Sequence, residues 1–230
     1  MDIGGFQKTS LLDYPLEVSA IIWTVGCNFS CPFCYNVDIV KGTIPLISED
    51  EIFSYLCKRK NMLDAVVITG GEPFLQKDLK DFCSKLKKIG YLIKIDTNGT
   101  FPDKLKELFD EGLVDYVAMD IKAPKEKYHR LAGVSVNIKQ IEKSIDLIKR
   151  RALDYEFRTT FVPGLLTKED IEDIGRWLSK SKRFFLQECK SDTALLSLDG
   201  EDINPYSEQY LTECIQLIQS FFDECSLRKL

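Results

Sequence analysis

Apolar, β-branched runs of six to nine residues alternate with helix-patterned stretches six times along this chain. No other feature restricts the fold as tightly. The runs are VSAIIWT (18–24), DAVVIT (64–69), YLIKIDT (91–97), VDYVAMDIK (114–122), EFRTTFVP (156–163) and RFFLQEC (183–189). Helical periodicity follows each, at ISEDEIFSYLCKRK and near 76–88, 102–112, 137–151, 167–179 and 206–223. Ser48 and Glu51 have the spacing of an N-cap and its reciprocal partner. Six β-then-α units predict an α/β fold with a mostly parallel sheet, because a strand that returns parallel needs a crossover helix. Chemistry in such folds gathers at the carboxyl ends of the strands.

Nothing between the units reads as a linker, so the 230 residues are expected to form one domain, with about 190–230 as a C-terminal extension packed on it. The segment KSDTALLSLDGEDINPYS (190–207) is the most loop-like piece. MDIGGFQKTSLLDYP lacks a basic n-region and an unbroken apolar h-region, and no apolar stretch reaches the length of a membrane span. A cytoplasmic protein without a membrane partner is expected, and in that reducing compartment clustered cysteines read as metal ligands or redox thiols. A net charge of −5 argues against a nucleic-acid partner and favours a protein or a small molecule.

Five strand ends carry unusual residues: Cys27, Cys31 and Cys34; Thr69, Gly70, Gly71, Glu72 and Pro73; Asp96, Thr97, Asn98 and Gly99; Asp120 and Lys122; Arg158 and Thr160. A single site is implied. The cysteines stand at C-x3-C-x2-C. Structural zinc would need a fourth ligand, which only Cys189 or His129 could bring from afar. A thioredoxin-like reading of Cys31-Pro32-Phe33-Cys34 leaves Cys27 unexplained. A [4Fe–4S] cluster accounts for all three, with one iron kept open for something that reacts.

With Phe33 as the aromatic, CNFSCPFC resembles the signature of the radical S-adenosylmethionine (SAM) superfamily. TGGEP, DTNG, MDIK and the opening FQKTSLLDYP…SAIIWTVGCNF extend the likeness to the anaerobic ribonucleoside-triphosphate reductase activating proteins, a branch of the glycyl-radical-enzyme activases. That resemblance implies a partial (β/α)6 TIM-like barrel, open on one side so that a loop of a protein substrate can enter. It also implies a [4Fe–4S] cluster on Cys27, Cys31 and Cys34, cleavage of S-adenosylmethionine, a glycyl-radical enzyme as partner, and a low-potential electron donor such as flavodoxin. Glu72 and the carbonyls at Gly70-Gly71 would receive the methionine ammonium group, with glycine letting the backbone approach. Asp96, Thr97 and Asp120 would frame a monovalent cation beside the carboxylate, with Lys122 reaching toward S-adenosylmethionine. Arg158 would meet the carboxylate or nucleotide, and Gln187 the adenine pocket. The bland readings are a Gly-Gly-Glu-Pro turn, an Asn-Gly turn, a Lys122–Asp120 pair and a salt-bridged Arg158. Within the superfamily the alternative is an enzyme acting on a small molecule or peptide, such as a 7-carboxy-7-deazaguanine synthase-like enzyme; outside it, a zinc-binding interaction module.

Glu188-Cys189 departs from the aromatic tail expected after the sixth strand, and Tyr35 stands where histidine often follows the third cysteine. Cys57, Cys83, Cys214 and Cys225 fall in helical patterns and are expected in the core. His129, the sole histidine, is expected on a surface loop, and the basic run KRK at 58–60 and LKKIG at 86–90 at solvated helix ends that would suit an acidic electron donor.

Overall fold

The computed structural model describes residues 1–189, 194–198 and 204–228. Eight strands form a single sheet in sequential order from β1 to β8. They are β1 (Ile3–Ser10), β2 (Ser19–Thr24), β3 (Ala65–Gly70), β4 (Leu92–Thr97), β5 (Tyr116–Asp120), β6 (Asp154–Phe161), β7 (Ser181–Glu188) and β8 (Phe222–Arg228). The β1–β2 pair is antiparallel and the other six pairs are parallel. Helices α1 (Val37–Lys41), α2 (Glu49–Arg59), α3 (Leu79–Ile89), α4 (Pro102–Asp110), α5 (Tyr128–Ala132), α6 (Ile138–Arg151), α7 (Lys168–Trp177) and α8 (Glu208–Ile218) fill the crossovers. Six β/α units therefore run from β2 to α8. Among the described residues no pairing joins β1 to β8, so the sheet is a partial barrel open along one side.

Parity along each strand divides the core. Ile22, Val66, Ile68, Ile93, Ile95, Val117, Phe157, Phe184 and Leu186 join the helices in one large apolar cluster. Their neighbours one residue away face the concave side, where Ile21, Ala65, Val67, Tyr116 and Ala118 pack with Tyr14 from the β1–β2 loop. The outer face is a conventional helix-on-sheet core. The concave face becomes charged toward the strand ends, with Lys94, Asp96, Asp120, Glu156 and Arg158 at the inward positions.

The expected strands lie within a few residues of their observed bounds, but the edges differ. The sequence reading did not include β1. Nor did it foresee β8, for α8 stops at Ile218 and a short turn leads into the strand instead of helix continuing to 223. α3 begins at Leu79 because Pro73–Leu75 first forms a 3₁₀ turn. Ser48 does cap α2, but its hydroxyl accepts from the Asp50 amide; the complete capping box is Thr167 with Asp170 at α7. Part of the loop expected at 190–207 lies outside the described residues, and no helix among them is long and apolar enough to cross a membrane.

Candidate active site

The cysteine loop leaves β2 at Thr24 and is gripped along its length. The Gly71 amide donates to Thr24 O at 2.9 Å and the Glu72 amide to Gly26 O at 2.8 Å. Ser30 donates to Ala132 O at 2.8 Å, while Leu196 and Ser197 donate to Cys34 O and Pro32 O at 2.9 and 3.0 Å. Phe29 and Phe33 are buried, the former edge-on to Tyr128 at 6.4 Å and the latter 6.0 Å from Lys122 Nζ. Cys31 is buried and Cys27 and Cys34 half-buried. Burial pushes the Cys27 thiol up to about 12, against the Phe29 amide, which donates to its sulfur at 3.4 Å; burial likewise pushes Cys31 up to about 11. Such thiols stay protonated at neutral pH unless a metal draws them into the thiolate form.

The donor set fits an iron–sulfur cluster: three soft thiols share one eight-residue loop at a shielded strand end. Among the described residues no three His, Cys, Asp or Glu side chains close to the spacing that would hold one metal ion, so no such group includes Cys189 or His129. A cube binds its thiolates through separate irons and holds them farther apart than a single ion does.

Protein contacts alone account for the two glycines. A Cβ on Gly71 would lie 1.8 Å from Gly26 O, and one on Gly70, whose φ is +115°, 2.4 Å from the Thr24 amide nitrogen. Gly70 thus needs glycine because it packs on the backbone at the end of β2, and Gly71 because it packs on Gly26 at the start of the cysteine loop. Glu72 also points inward. Fully buried, its Oε1 accepts from Thr97 Oγ1 at 2.8 Å and the Phe74 amide at 3.2 Å, and its Oε2 from the Asn98 amide at 2.7 Å. Burial raises its carboxyl to about 7 despite those donors. Pro73 is buried at the start of the 3₁₀ turn.

Asp96, Thr97 and Asp120 are divided between two networks. Thr97 serves Glu72, whereas Arg158 bridges the carboxylates, donating from Nη1 to Asp96 at 3.2 Å and from Nε to Asp120 at 3.0 Å. Lys122 donates to the other oxygen of Asp120 at 3.2 Å, so both basic residues are ion-paired. Burial opposes ionisation of Asp120, yet Arg158 and Lys122 hold its carboxyl down at about 2. Asp96 Oδ1 is buried, accepts no hydrogen bond and lies 3.6 Å from Lys94 Nζ. Gln187 is buried on β7, in register with Thr160 of β6 and Arg228 of β8.

Three members of this interior were missed from the sequence. Glu156, fully buried, takes Arg228 through both oxygens at 2.8 and 3.2 Å, with Lys94 at 3.9 Å and Arg158 at 3.7 Å. The charges at alternate positions in LIKID and YEFRT carried the signal for Lys94 and Glu156; nothing marked Arg228. Other expectations are corrected. Cys57 is exposed on α2 and Cys225 half-buried on a strand, while Cys83 and Cys214 are buried. His129 is exposed on the short helix α5. The basic residues of α2 and α3 lie in their last turns, at the end of the sheet opposite the cysteine loop, about 17 Å away along six strand residues.

A parallel, open α/β sheet with a three-thiol loop after its first parallel strand defines the class. Residues 21–178 match the Radical SAM superfamily, and the chain belongs to it. It is a radical SAM enzyme, a membership that implies S-adenosylmethionine and a [4Fe–4S] cluster. A Methanocaldococcus jannaschii protein provisionally named a glycyl-radical enzyme activating enzyme is 33% identical over 233 residues, covering 99% of this chain and 96% of its own. Among solved structures, a domain of pyruvate-formate lyase-activating enzyme from Bacteroides vulgatus aligns with a TM-score of 0.58 at 18% identity, over 72% of this chain and 99% of that domain. Streptococcus suis SuiB bound to S-adenosylmethionine gives 0.68 at 14% identity, over 90% of this chain and 49% of that one. Both show likeness of fold.

Proposed function

We propose that this chain is an activase that installs a glycyl radical on anaerobic ribonucleoside-triphosphate reductase in the cytoplasm. The observation that carries this reading is a three-thiol loop at the carboxyl end of a sheet left open between β1 and β8, the side by which a protein loop would enter. The likeness over nearly the whole chain to a protein named as an activating enzyme supports it. The motif FQKTSLLDYP…SAIIWTVGCNF supports the choice of reductase.

Cys27, Cys31 and Cys34 would hold the cluster. When bound, the cluster would supply the electron for reductive cleavage of S-adenosylmethionine, the chemistry that would abstract hydrogen from the partner's glycine. The protein's part is to bind, orient and exclude water. The carbonyls of half-buried Gly70 and Gly71 would accept from the methionine ammonium, since the Glu72 side chain is committed to Thr97, Phe74 and Asn98. Lys122 and Arg158, held charged by their carboxylate partners, would attract the methionine carboxylate. Gln187 would border the adenine. Asp96 Oδ1, which accepts no hydrogen bond and lies 3.6 Å from Lys94 Nζ, would be the oxygen to meet a monovalent cation. A low-potential donor such as flavodoxin would dock on the cysteine-loop face, because the basic ends of α2 and α3 stand too far from the thiols.

Anaerobically reconstituted protein, reduced with dithionite, is expected to convert S-adenosylmethionine to 5′-deoxyadenosine. With the reductase present, it should give a glycyl doublet by EPR. Deoxyadenosine without a doublet on the reductase would sink the choice of partner; a doublet on pyruvate formate-lyase instead would reassign it.

A further inference from the structure

Three side chains tie the cysteine loop to the end of β4 in a closed ring. Asn98 Nδ2 donates to Asn28 Oδ1 at 2.8 Å, Asn28 Nδ2 donates to Thr100 Oγ1 at 2.9 Å, and Thr100 Oγ1 donates to Asn98 Oδ1 at 2.7 Å. Around the ring each side chain gives one hydrogen bond and accepts one, so the ring runs in a single direction and its bonds polarise one another, while the Thr100 amide donates a further bond to Asn98 Oδ1 at 3.1 Å. Asn98 is buried, and Asn28 and Thr100 are half-buried.

The ring sits where position matters. Asn28 directly follows Cys27. The Asn98 amide also donates to Glu72, whose own amide donates to Gly26 O. One circuit therefore runs from the first cysteine to β4, back through the β3 turn and into the cysteine loop again. Farther along, the loop is held by backbone bonds at Ser30, Pro32 and Cys34, while beside Cys27 the lateral tie to β4 is made by the Asn28 side chain.

We propose that Asn28, Asn98 and Thr100 are positioning residues that set the cysteine loop, and hence the open iron, at the correct offset from the S-adenosylmethionine edge formed by the Gly70–Pro73 turn and the end of β4. This rests on the functional reading above. The ring's hydrogen bonds run among Asn28, Asn98 and Thr100 themselves, so it would act by removing the freedom of the Cys27 end to slide against β4. Such pre-organisation strengthens binding because the freedom is already lost before the ligand arrives.

Thr100→Val deletes the ring hydroxyl at nearly constant shape, and Thr100→Ser retains it. Asn28→Ala, from a half-buried loop position, is the second disrupting variant should the valine variant fold poorly. Each is reconstituted anaerobically and assayed for iron per chain, S-adenosylmethionine affinity by calorimetry, and the change in the EPR spectrum of the reduced cluster when S-adenosylmethionine is added. Thr100→Val and Asn28→Ala should bind S-adenosylmethionine about tenfold more weakly, the factor that about 1.4 kcal/mol makes. They should keep their iron and show an altered S-adenosylmethionine-induced EPR change, with Thr100→Ser close to wild type. Were the ring only to stabilise the fold, both disrupting variants would lower the melting temperature of the apoprotein and leave affinity and spectrum alone. If both disrupting variants bind within twofold of a competent wild type with its spectral change, or if Thr100→Ser fails as Thr100→Val does, the ring has no positioning role. A wild type that takes up no cluster, or binds no S-adenosylmethionine, overturns the functional reading as well.

Discussion

Replacing Gly71 by alanine should uncouple the β3 turn from the cysteine loop. The new Cβ would lie 1.8 Å from Gly26 O and 2.5 Å from Gly26 C, where real Cβ contacts do not fall below 3.0 Å. Both obstacles are backbone atoms, so no rotamer change relieves them, and the two segments must part by more than an ångström. The Glu72–Gly26 and Gly71–Thr24 bonds, now 2.8 and 2.9 Å, would then exceed hydrogen-bonding range. At about 1 kcal/mol net for each bond, together with incomplete repacking, the variant should lose about 2–3 kcal/mol. For a chain of this size that is roughly 4–12 °C in melting temperature. Cys27 directly follows the displaced Gly26, so iron uptake should fall too. Gly112→Ala is the control: its φ is +64° but nothing lies within 4 Å of the new Cβ, so it should cost about 1–2 kcal/mol from backbone strain alone and leave iron content intact. The assay is iron and sulfide per chain after anaerobic reconstitution, beside thermal melts of the apoprotein. A Gly71→Ala protein that loads iron and melts like wild type would refute the close-packing argument.

Three further outcomes follow from the same structure. In reduced apoprotein at pH 8, exposed Cys57 should be alkylated first and Cys27 and Cys31 roughly 10²–10³ times more slowly, because burial keeps the latter protonated; peptide mapping by mass spectrometry that finds equal rates would contradict this. Arg158→Met removes the bridge between the Asp96 and Asp120 carboxylates, leaving them Lys94 and Lys122 alone, and should cost about 3 kcal/mol in denaturant unfolding, with Arg158→Lys recovering part; a neutral effect would mean the bridge is not formed. Burial works against the Glu156 charge, yet Lys94, Arg228 and Arg158 hold that carboxyl down at about 2. Its folded pKa is depressed, so its stabilising effect is complete above about pH 4.3, the unfolded value, and is lost as pH falls through about 2. Glu156→Gln should flatten the acid limb of stability over that window, and an unchanged limb would argue against the pairing.

Much of the site could be read from local spacing. C-x3-C-x2-C confines three thiols to one turn whatever surrounds them, and GGEP, DTNG and MDIK fall at strand ends because each follows a β-branched run. Roles that depend on what lies across the barrel were not legible. Arg158 is one residue among several in an alternating strand until β4 and β5 bring Asp96 and Asp120 against it. Arg228 pairs with Glu156 across 72 residues of chain. Thr97, adjacent to Asp96, turns instead to Glu72 on the neighbouring strand end, since successive strand residues face opposite sides. The edge strands were hidden for a related reason. A strand paired on one side only needs less apolar patterning, and FDECSLR has little.

The sequence by itself determined the α/β alternation, the position of the chemistry at the strand ends and the cysteine trio, because each is a local periodicity or spacing that chain geometry converts directly into structure. Only the tertiary structure decided why Gly70 and Gly71 must be glycine, that Glu72 braces its neighbours, that a charged interior lies under the mouth, and that Asn28, Asn98 and Thr100 close into a ring. Those are contacts between residues far apart in the chain, and their geometry exists only once the strands stand side by side.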